Sequence, residues 1–292
     1  MTYLDHAATT PVLPEVIAAM SQAMTLTGNA SSLHTSGRAA RRRVEESRER
    51  IADALGARPS EIVFTSGGTE SDNLAITGMF RARMAADPLR RRILAPVTEH
   101  PAVLDVVEHL ALDEGATVTW LEVDDFGRVH ADTLAAAIAE NPADVALVTV
   151  MWANNEVGTV NPVRELAEVA HHHGIPFHTD AVQALGQLPV DFTLCGADAL
   201  TVTGHKVGGP SGAGLLVLRR DAPVAVDRKL IYILAHKNAA AGAASFDAFR
   251  KDPDWVKARA ESEKKAGGSL TEGGMAGVKS TYMQATDYSP MK

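Results

Sequence analysis

The sequence predicts an α/β protein built around a mostly parallel sheet, and two observations support this. Short apolar runs alternate with amphipathic stretches of helical length, which is the pattern of βαβ units. Polar and glycine-rich motifs follow several of the apolar runs, at the strand ends where parallel sheets bind ligands. Strands are predicted at 62–64, 93–95, 118–121, 145–150, 177–179, 199–202 and 215–218, and helices at 38–55, 70–84, 102–112, 131–140 and 163–172.

The balance of lysine and arginine changes abruptly near residue 226. Residues 1–226 contain 16 arginines and a single lysine, whereas residues 227–292 contain eight lysines and three arginines. Chance clustering is the alternative, but a domain seldom changes its preference so sharply. We therefore predict a large α/β domain over 1–226 and an unrelated, short α+β segment over 227–292.

Bulk properties exclude several classes of protein. The formal net charge of −8 offers no basic surface for nucleic acid or for an anionic membrane. No run approaches the roughly 20 apolar residues that span a bilayer, and the N-terminus lacks the layout of a signal peptide. The one cysteine, Cys195, excludes an internal disulfide and fits a reducing compartment. We expect a cytoplasmic protein with neither nucleic-acid nor membrane partners.

The first candidate motif passes from an apolar strand through two glycines into a helix. Gly67 and Gly68 are followed by Thr69, whose hydroxyl is a further donor. Free amides at a helix N-terminus favour a phosphate, and glycines let it approach the backbone closely. An ordinary capped turn explains the same residues equally well, so this motif alone does not decide.

The second candidate motif is a carboxylate at the end of a strand. Asp180 could keep a pyridinium nitrogen protonated, which makes such a ring an electron sink, and Gln183 could contact the oxygen side of the ring. Taken alone, Asp180 is more often an ordinary helix N-cap.

The third candidate motif contains the only lysine of residues 1–226. Lys206 follows a strand and has glycines around it, where a bulky ligand needs room. A deprotonated lysine amine attacks carbonyl groups and forms an imine with an aldehyde cofactor. Thr203 and His205 are placed to reach the phosphate of the same ligand. A solvated surface lysine is the alternative, and it fits this apolar setting poorly.

Two polar turns add further candidate residues to the three motifs. His100 follows a predicted strand and could stack on a flat ring or transfer a proton near neutral pH. Asn155 follows another strand and could contact a phenolate or a substrate carboxylate. Each is more often a simple turn, and only their joint occurrence with the other motifs indicates a site.

Taken together, these motifs resemble the cysteine desulfurases, within the class V aminotransferases of the fold type I enzymes that use pyridoxal 5'-phosphate. The resemblance covers about residues 2–226 and rests on the order and spacing of several motifs. They are Tyr-Leu-Asp-His-Ala-Ala-Thr-Thr-Pro at 3–11, Gly-Asn-Ala-Ser-Ser-Leu-His at 28–34, Ser-Gly-Gly-Thr-Glu-Ser at 66–71, Thr-Glu-His at 98–100, Asn-Asn-Glu-Val-Gly at 154–158, Asp-Ala-Val-Gln at 180–183 and Gly-His-Lys at 204–206.

The resemblance implies a role for each candidate residue. Lys206 would be the Schiff-base lysine, Asp180 the partner of the pyridinium nitrogen, and His100 the stacking residue and proton shuttle. The remaining candidates would contact the ring oxygen (Asn155 and Gln183) or hold the phosphate (Gly68, Thr69, Thr203 and His205). The activity implied is conversion of L-cysteine to L-alanine plus an enzyme-bound persulfide, for iron–sulfur cluster or thiolation pathways. The family implies a homodimer and a sulfur-accepting scaffold or carrier protein.

The resemblance stops near Val226. The family's glycine-rich segment, its loop with the sulfur-accepting cysteine and its substrate-binding arginine are not recognisable beyond that residue. Cys195 is expected to be a small buried residue and therefore unreactive. We therefore expect impaired turnover, with two alternatives: a non-catalytic remnant or fusion, and another class V chemistry such as selenocysteine cleavage or aminotransfer.

Two further patterns lie outside these motifs. The segment 227–292 has a limited resemblance to the C-terminal part of NIPSNAP-type proteins, through the stretches 251–255 and 286–292. The histidines at 171–173, with His178, suggest a metal site, but a helix end explains the run at least as well, because histidines there suit the helix dipole. No metal is expected.

Overall fold

The computed structural model describes residues 2–225 and confirms the α/β class with a mostly parallel sheet. Its seven strands are β1 (Ile62–Thr65), β2 (Arg92–Pro96), β3 (Thr117–Leu121), β4 (Val145–Thr149), β5 (Phe177–Asp180), β6 (Ala199–Thr203) and β7 (Gly214–Leu218). Its α-helices are α1 (Pro14–Met24), α2 (Thr35–Ala54), α3 (Gly68–Ala86), α4 (Pro101–Asp113), α5 (Ala131–Glu140), α6 (Val163–His172) and α7 (Phe192–Cys195). Single turns of 3-10 helix lie at Pro59–Glu61 and Gly204–Lys206.

The seven strands form one sheet in the order β1-β7-β6-β5-β4-β2-β3. The five strands from β6 to β3 pair in parallel, whereas β7 is antiparallel to both of its neighbours. The reason is the short connection from β6 to β7 through residues 204–213, which contains no crossover helix. Antiparallel neighbours accept such a connection, and parallel ones do not.

Every strand and helix predicted within residues 1–226 is present, with ends that shift by a few residues at most. Two helices, α1 and α7, were not predicted. Helix α1 contains no buried residue. Helix α7 is four residues long, too short for a helical period to be recognised.

Helices cover both faces of the sheet. Strands β2, β4 and β6 are buried along their whole length, as expected for parallel strands between two helical layers. Ile93 faces the apolar layer of α3 and α4, whereas its neighbour Leu94 faces the layer that includes α5 and α6. This alternation leaves the strand ends as the place where polar side chains can meet.

The predicted segment 227–292, with its NIPSNAP-type resemblance, lies outside the described residues and stays a prediction. Within residues 2–225, no helix has the length and apolar character needed to cross a membrane.

Candidate active site

One cavity of about 530 Å³ brings together all the candidate residues. Its lining includes Gly68, Thr69, His100, Asn155, Asp180, Gln183, Thr203, His205 and Lys206. These residues follow β1, β2, β4, β5 and β6, whose carboxyl ends lie at the same edge of the sheet because the strands run in the same direction. Residues far apart in sequence are therefore neighbours for a topological reason.

The start of helix α3 borders the cavity and has the features that favour binding of an anion. The N-cap residue, Gly67, has no side chain that could accept a hydrogen bond from the first N–H groups of the helix. A Cβ atom on Gly67 would meet nothing within 4 Å, which shows open space beside the backbone. Behind it, Gly214 packs so closely that a Cβ atom there would lie 2.4 Å from the Cα of Gly67. The backbone at Gly67 is therefore open on one side and closely packed against Gly214 on the other. A phosphate could approach it from the open side.

Two polar side chains that follow β6 line the same cavity as the start of α3. The hydroxyl of Thr203 donates to the carbonyl oxygen of Ala213 at 3.2 Å. The Nδ1 atom of His205 lies 3.1 Å from the hydroxyl of Thr9, which itself donates to the His205 carbonyl oxygen at 3.2 Å. These contacts hold the His205 ring at the cavity through its Nδ1 side.

The amine of Lys206 faces the cavity and donates to the carbonyl oxygen of Ala7. Partial burial lowers the pKa of Lys206, while the negative charges of Asp180 and Asp5 oppose that shift. The neutral amine is the nucleophilic form, so burial favours the state that attacks an aldehyde. The Ala7 carbonyl also accepts from Nε2 of Gln183 at 2.8 Å, and this fixes the side chain of Gln183 at the cavity wall.

The N-terminal segment forms part of the site, and the sequence motifs gave it no specific role. Asp5, Ala7 and Ala8 line the cavity. Thr10 attaches the segment to the lysine loop: its backbone N–H donates to the His205 carbonyl at 2.8 Å, and its hydroxyl accepts from the N–H of Gly208 at 2.8 Å. No local sequence signal could have shown this, because the contacts join residues almost 200 positions apart.

Asp180 ends β5 with its carboxyl group almost completely buried. Its Oδ1 atom accepts from the N–H of Val182 at 2.8 Å, and the residues that follow form turns. The helix N-cap alternative is therefore not what the structure shows. Burial raises the pKa of Asp180, while the Val182 hydrogen bond and the nearby His100 and Lys206 oppose that rise.

His100 and Asn155 enter the cavity from two different turns. His100 is the N-cap of α4, where its Nδ1 atom accepts from the N–H of Ala102 at 3.1 Å. This leaves Nε2 as the protonated nitrogen of the neutral ring. Asn155 donates to the Glu156 carboxylate at 2.8 Å, while the preceding Asn154 is buried and accepts from two backbone N–H groups of the turn. Asn154 shapes the turn, and Asn155 lines the cavity.

The structure adds two buried carboxyl groups that the motifs did not single out, Asp72 and Glu99. Asp72 lines the cavity from the first turns of α3. Burial and the nearby carboxyl groups raise its pKa well above the usual range. Burial likewise raises the pKa of Glu99 to about 8. One sequence signal could have indicated Asp72: it lies in register with the apolar residues Ala75, Ile76 and Met79, on the buried face of α3.

Cys195 is buried, and its thiol donates to the carbonyl oxygen of Phe192 at 3.3 Å. Burial raises the pKa of the Cys195 thiol to about 11. This confirms the expected small buried residue, and a thiol of this kind is unreactive at neutral pH.

A thiol titration tests the state of Cys195. The folded chain is expected to show no fast reaction with a disulfide reagent at neutral pH, because the thiolate is scarce and shielded. The same sample in urea should react with one equivalent, since the chain contains one cysteine. Fast reaction of the folded protein would contradict the burial described here.

The histidine run at 171–173 belongs to a helix end. His171 and His172 lie in the last turn of α6, and His173 is its C-cap. The Nε2 atom of His171 is 2.7 Å from the carboxylate of Asp198, an ordinary side-chain pair.

The fold and this cavity define a protein of the class V aminotransferase type. The chain belongs to the aminotransferase class-V family, whose model matches residues 2–231. It is 59% identical over 221 residues to an "IscS-like cysteine desulfurase" of Mycobacterium tuberculosis, and 47% identical over 223 residues to a "Cysteine desulfurase" of Cereibacter sphaeroides. Both alignments cover 76% of this chain but only 56% of the relative. The chain thus spans a little over half the length of these relatives.

Solved structures agree with this family. The structure "SspA in complex with cysteine" matches with a TM-score of 0.70 and 39% identity, over 76% of this chain and 62% of that one. A NifS-like protein matches with a TM-score of 0.72 and 33% identity, over 80% of this chain and 62% of that one. The fold type I assignment made from the motifs is therefore confirmed.

The residues of the cavity fit pyridoxal phosphate, the cofactor of this family. The site offers an amine for the aldehyde (Lys206), a buried carboxyl for the ring nitrogen (Asp180) and an uncapped helix N-terminus for the phosphate (at Gly67).

Proposed function

We propose that this chain binds pyridoxal phosphate in the cavity and acts on L-cysteine in the manner of a cysteine desulfurase. The proposal depends on one observation: the same cavity is lined by the Lys206 amine, the buried Asp180 carboxyl and the uncapped start of α3. The names of the relatives, and the cysteine bound in one structural neighbour, support L-cysteine as the substrate.

Each polar group has a task in this proposal. The bound cofactor withdraws electrons from the substrate Cα. Lys206 takes the proton from that Cα, and partial burial keeps its amine easier to deprotonate. Asp180 would hold the proton of the cofactor's ring nitrogen, and Nε2 of His100 would move a second proton. Asn155 and Gln183 would hold and orient the cofactor.

The sulfur acceptor in this proposal is a thiol other than that of Cys195. The only thiol of the chain belongs to Cys195, which is buried and has a raised pKa. We therefore propose that turnover by this chain requires a second thiol, from a partner protein or from solution. A homodimer, a sulfur-accepting scaffold or carrier, and a cytoplasmic location are the further expectations that go with this function.

The decisive experiment incubates the purified full-length chain with pyridoxal phosphate and L-cysteine, with and without dithiothreitol. We expect alanine and sulfide in equal amounts only when both cofactor and added thiol are present. Selenocysteine and alanine are tested in parallel, because cleavage of selenocysteine alone, or amino-group transfer from alanine, would favour the other class V chemistries. Tight cofactor binding without any product would favour a non-catalytic remnant.

A further inference from the structure

The lysine loop, residues 204–208, is held on both sides of Lys206 by one residue of the N-terminal segment. The hydroxyl of Thr10 donates to the carbonyl oxygen of His205 at 2.9 Å and accepts from the backbone N–H of Gly208 at 2.8 Å. A hydroxyl has one proton and two lone pairs, so a single side chain can make both bonds. Thr10 therefore joins the residue before Lys206 to the second residue after it.

Further contacts strengthen each end of this connection. The carbonyl oxygen of His205 has two lone pairs and is approached by three donors: the Thr10 hydroxyl, the Thr10 N–H at 2.8 Å and the Thr9 hydroxyl at 3.2 Å. At the other end, the N–H of Leu13 donates to the carbonyl oxygen of Gly208 at 2.9 Å. Gly208 has a φ of 79°, and a Cβ atom there would lie 2.5 Å from the Leu13 side chain. Lys206 thus lies between two fixed points of the backbone.

The same N-terminal segment holds the far end of the lysine side chain. The amine of Lys206 donates to the carbonyl oxygen of Ala7, three residues before Thr10. That carbonyl also accepts from Nε2 of Gln183 at 2.8 Å, so its position is set by a third part of the chain. A free lysine side chain has many rotamers, and these contacts reduce the number of positions that the amine can take. Residues 7–10 therefore locate both the backbone and the amine of Lys206.

Thr10 acts on the lysine from outside the cavity that gathers the candidate residues. Lys206 lines both that cavity and a second one of about 450 Å³, whereas Thr10 lines only the second. Gly68, Thr69 and Asp180 line only the first. A change at Thr10 can therefore alter the placement of the amine without touching the start of α3, where a phosphate would bind.

We propose that Thr10 is a positioning residue for Lys206, which sets the place from which the lysine amine attacks the cofactor aldehyde. The inference rests on the proposed function, since it requires pyridoxal phosphate in this cavity. In the step concerned, the Lys206 nitrogen bonds to the aldehyde carbon, and the aldehyde oxygen leaves as water with the two protons of the neutral amine. Loss of the Thr10 hydroxyl loosens the lysine loop, so the amine spends less time within reach of the aldehyde.

The rate at which the cofactor attaches to Lys206 tests the proposal without measuring turnover. The cofactor-free full-length chain is mixed with pyridoxal phosphate at several concentrations, and samples are reduced with borohydride at successive times. Peptide mapping then reports attachment at Lys206 separately from attachment at the eight lysines of residues 227–292. The half-saturating concentration measures binding of the cofactor before attachment, and the limiting rate measures attack by the amine.

In Thr10→Val we expect the limiting rate to fall by on the order of 10²-fold, the effect of a misplacement of about 1 Å. The half-saturating concentration should stay unchanged, because the start of α3 is intact. Valine has nearly the shape of threonine but no hydroxyl, whereas Thr10→Ser keeps the hydroxyl and should restore most of the rate. Thr10→Ala carries the test if Thr10→Val does not fold.

The control is Thr25→Val, which removes a hydroxyl that donates to the Gln22 carbonyl oxygen at 2.8 Å at the end of α1. It should leave both quantities in place. Equal limiting rates in Thr10→Val and the unmodified chain would overturn the inference alone. So would a half-saturating concentration that rises as the rate falls, a serine variant as slow as the valine variant, or folding of the serine variant alone, because a merely structural role predicts these results. No attachment to Lys206 in the unmodified chain would instead overturn the proposed function, and the inference with it.

Discussion

Lys206→Ala is expected to abolish the visible absorbance of lysine-bound cofactor and to release the cofactor during gel filtration. The reason is the position of the amine in the cavity, combined with the absence of any other lysine in residues 1–226. No neighbouring side chain can replace its nucleophilic nitrogen. Alanine formation from cysteine should fall by a factor on the order of 10²–10⁴, the contribution of a well-placed proton-transfer group.

The matched control for this prediction is Arg220→Ala, which removes an exposed cation beyond β7. It should keep both the absorbance and the retained cofactor. If Lys206→Ala still bound the cofactor with an unchanged spectrum, the assignment of Lys206 would be wrong. Added alkylamine should restore part of the lost proton transfer in Lys206→Ala, because the cavity left by the side chain admits a small amine.

Glu99→Gln is expected to change how the stability of the cofactor-free protein depends on pH. Burial raises the pKa of Glu99 from 4.5 to about 8, so the folded state binds a proton that the unfolded state releases. The stabilisation is fully present below about pH 4.5 and is lost as the pH rises toward 8. Over this range the free energy of unfolding should fall by on the order of 5 kcal/mol in the unmodified chain.

Glutamine stays neutral at every pH and can still accept the hydrogen bond that Met151 N–H donates to Oε1 of Glu99 at 2.6 Å. The variant should therefore match the unmodified chain in acid and be the more stable of the two near pH 8. Urea unfolding at several pH values measures this difference. Glu108→Gln, an exposed change on α4, is the control. A parallel pH dependence of Glu99→Gln and the unmodified chain would show that Glu99 is charged in the folded protein.

Much of the fold was predictable because its elements are marked by local patterns. The apolar runs that became β2, β4 and β6 have the near-continuous hydrophobic character of strands buried on both faces. The direction of β7 was not predictable from its own residues, since an apolar strand looks the same in either direction. The antiparallel direction of β7 follows from its short connection to β6, which depends on the path of the chain and not on the residues of β7.

Part of the candidate site was predictable because some residue types have a distinctive chemistry. The sequence alone determined that Lys206 is the one amine available in residues 1–226, and that glycines surround it and precede α3. It also placed Asp180, His100 and Asn155 after strands, where residues of parallel strands converge.

Only the tertiary structure decided what surrounds that lysine. The contact of Lys206 with the Ala7 carbonyl and the meeting of Asp72 and Asp180 at the cavity join residues that are distant in sequence. Their pKa shifts arise mainly from burial, which depends on packing and has no signature in a local motif. Residue types therefore determined which chemistry this cavity can perform, and the packing of the strand ends decided which groups surround it.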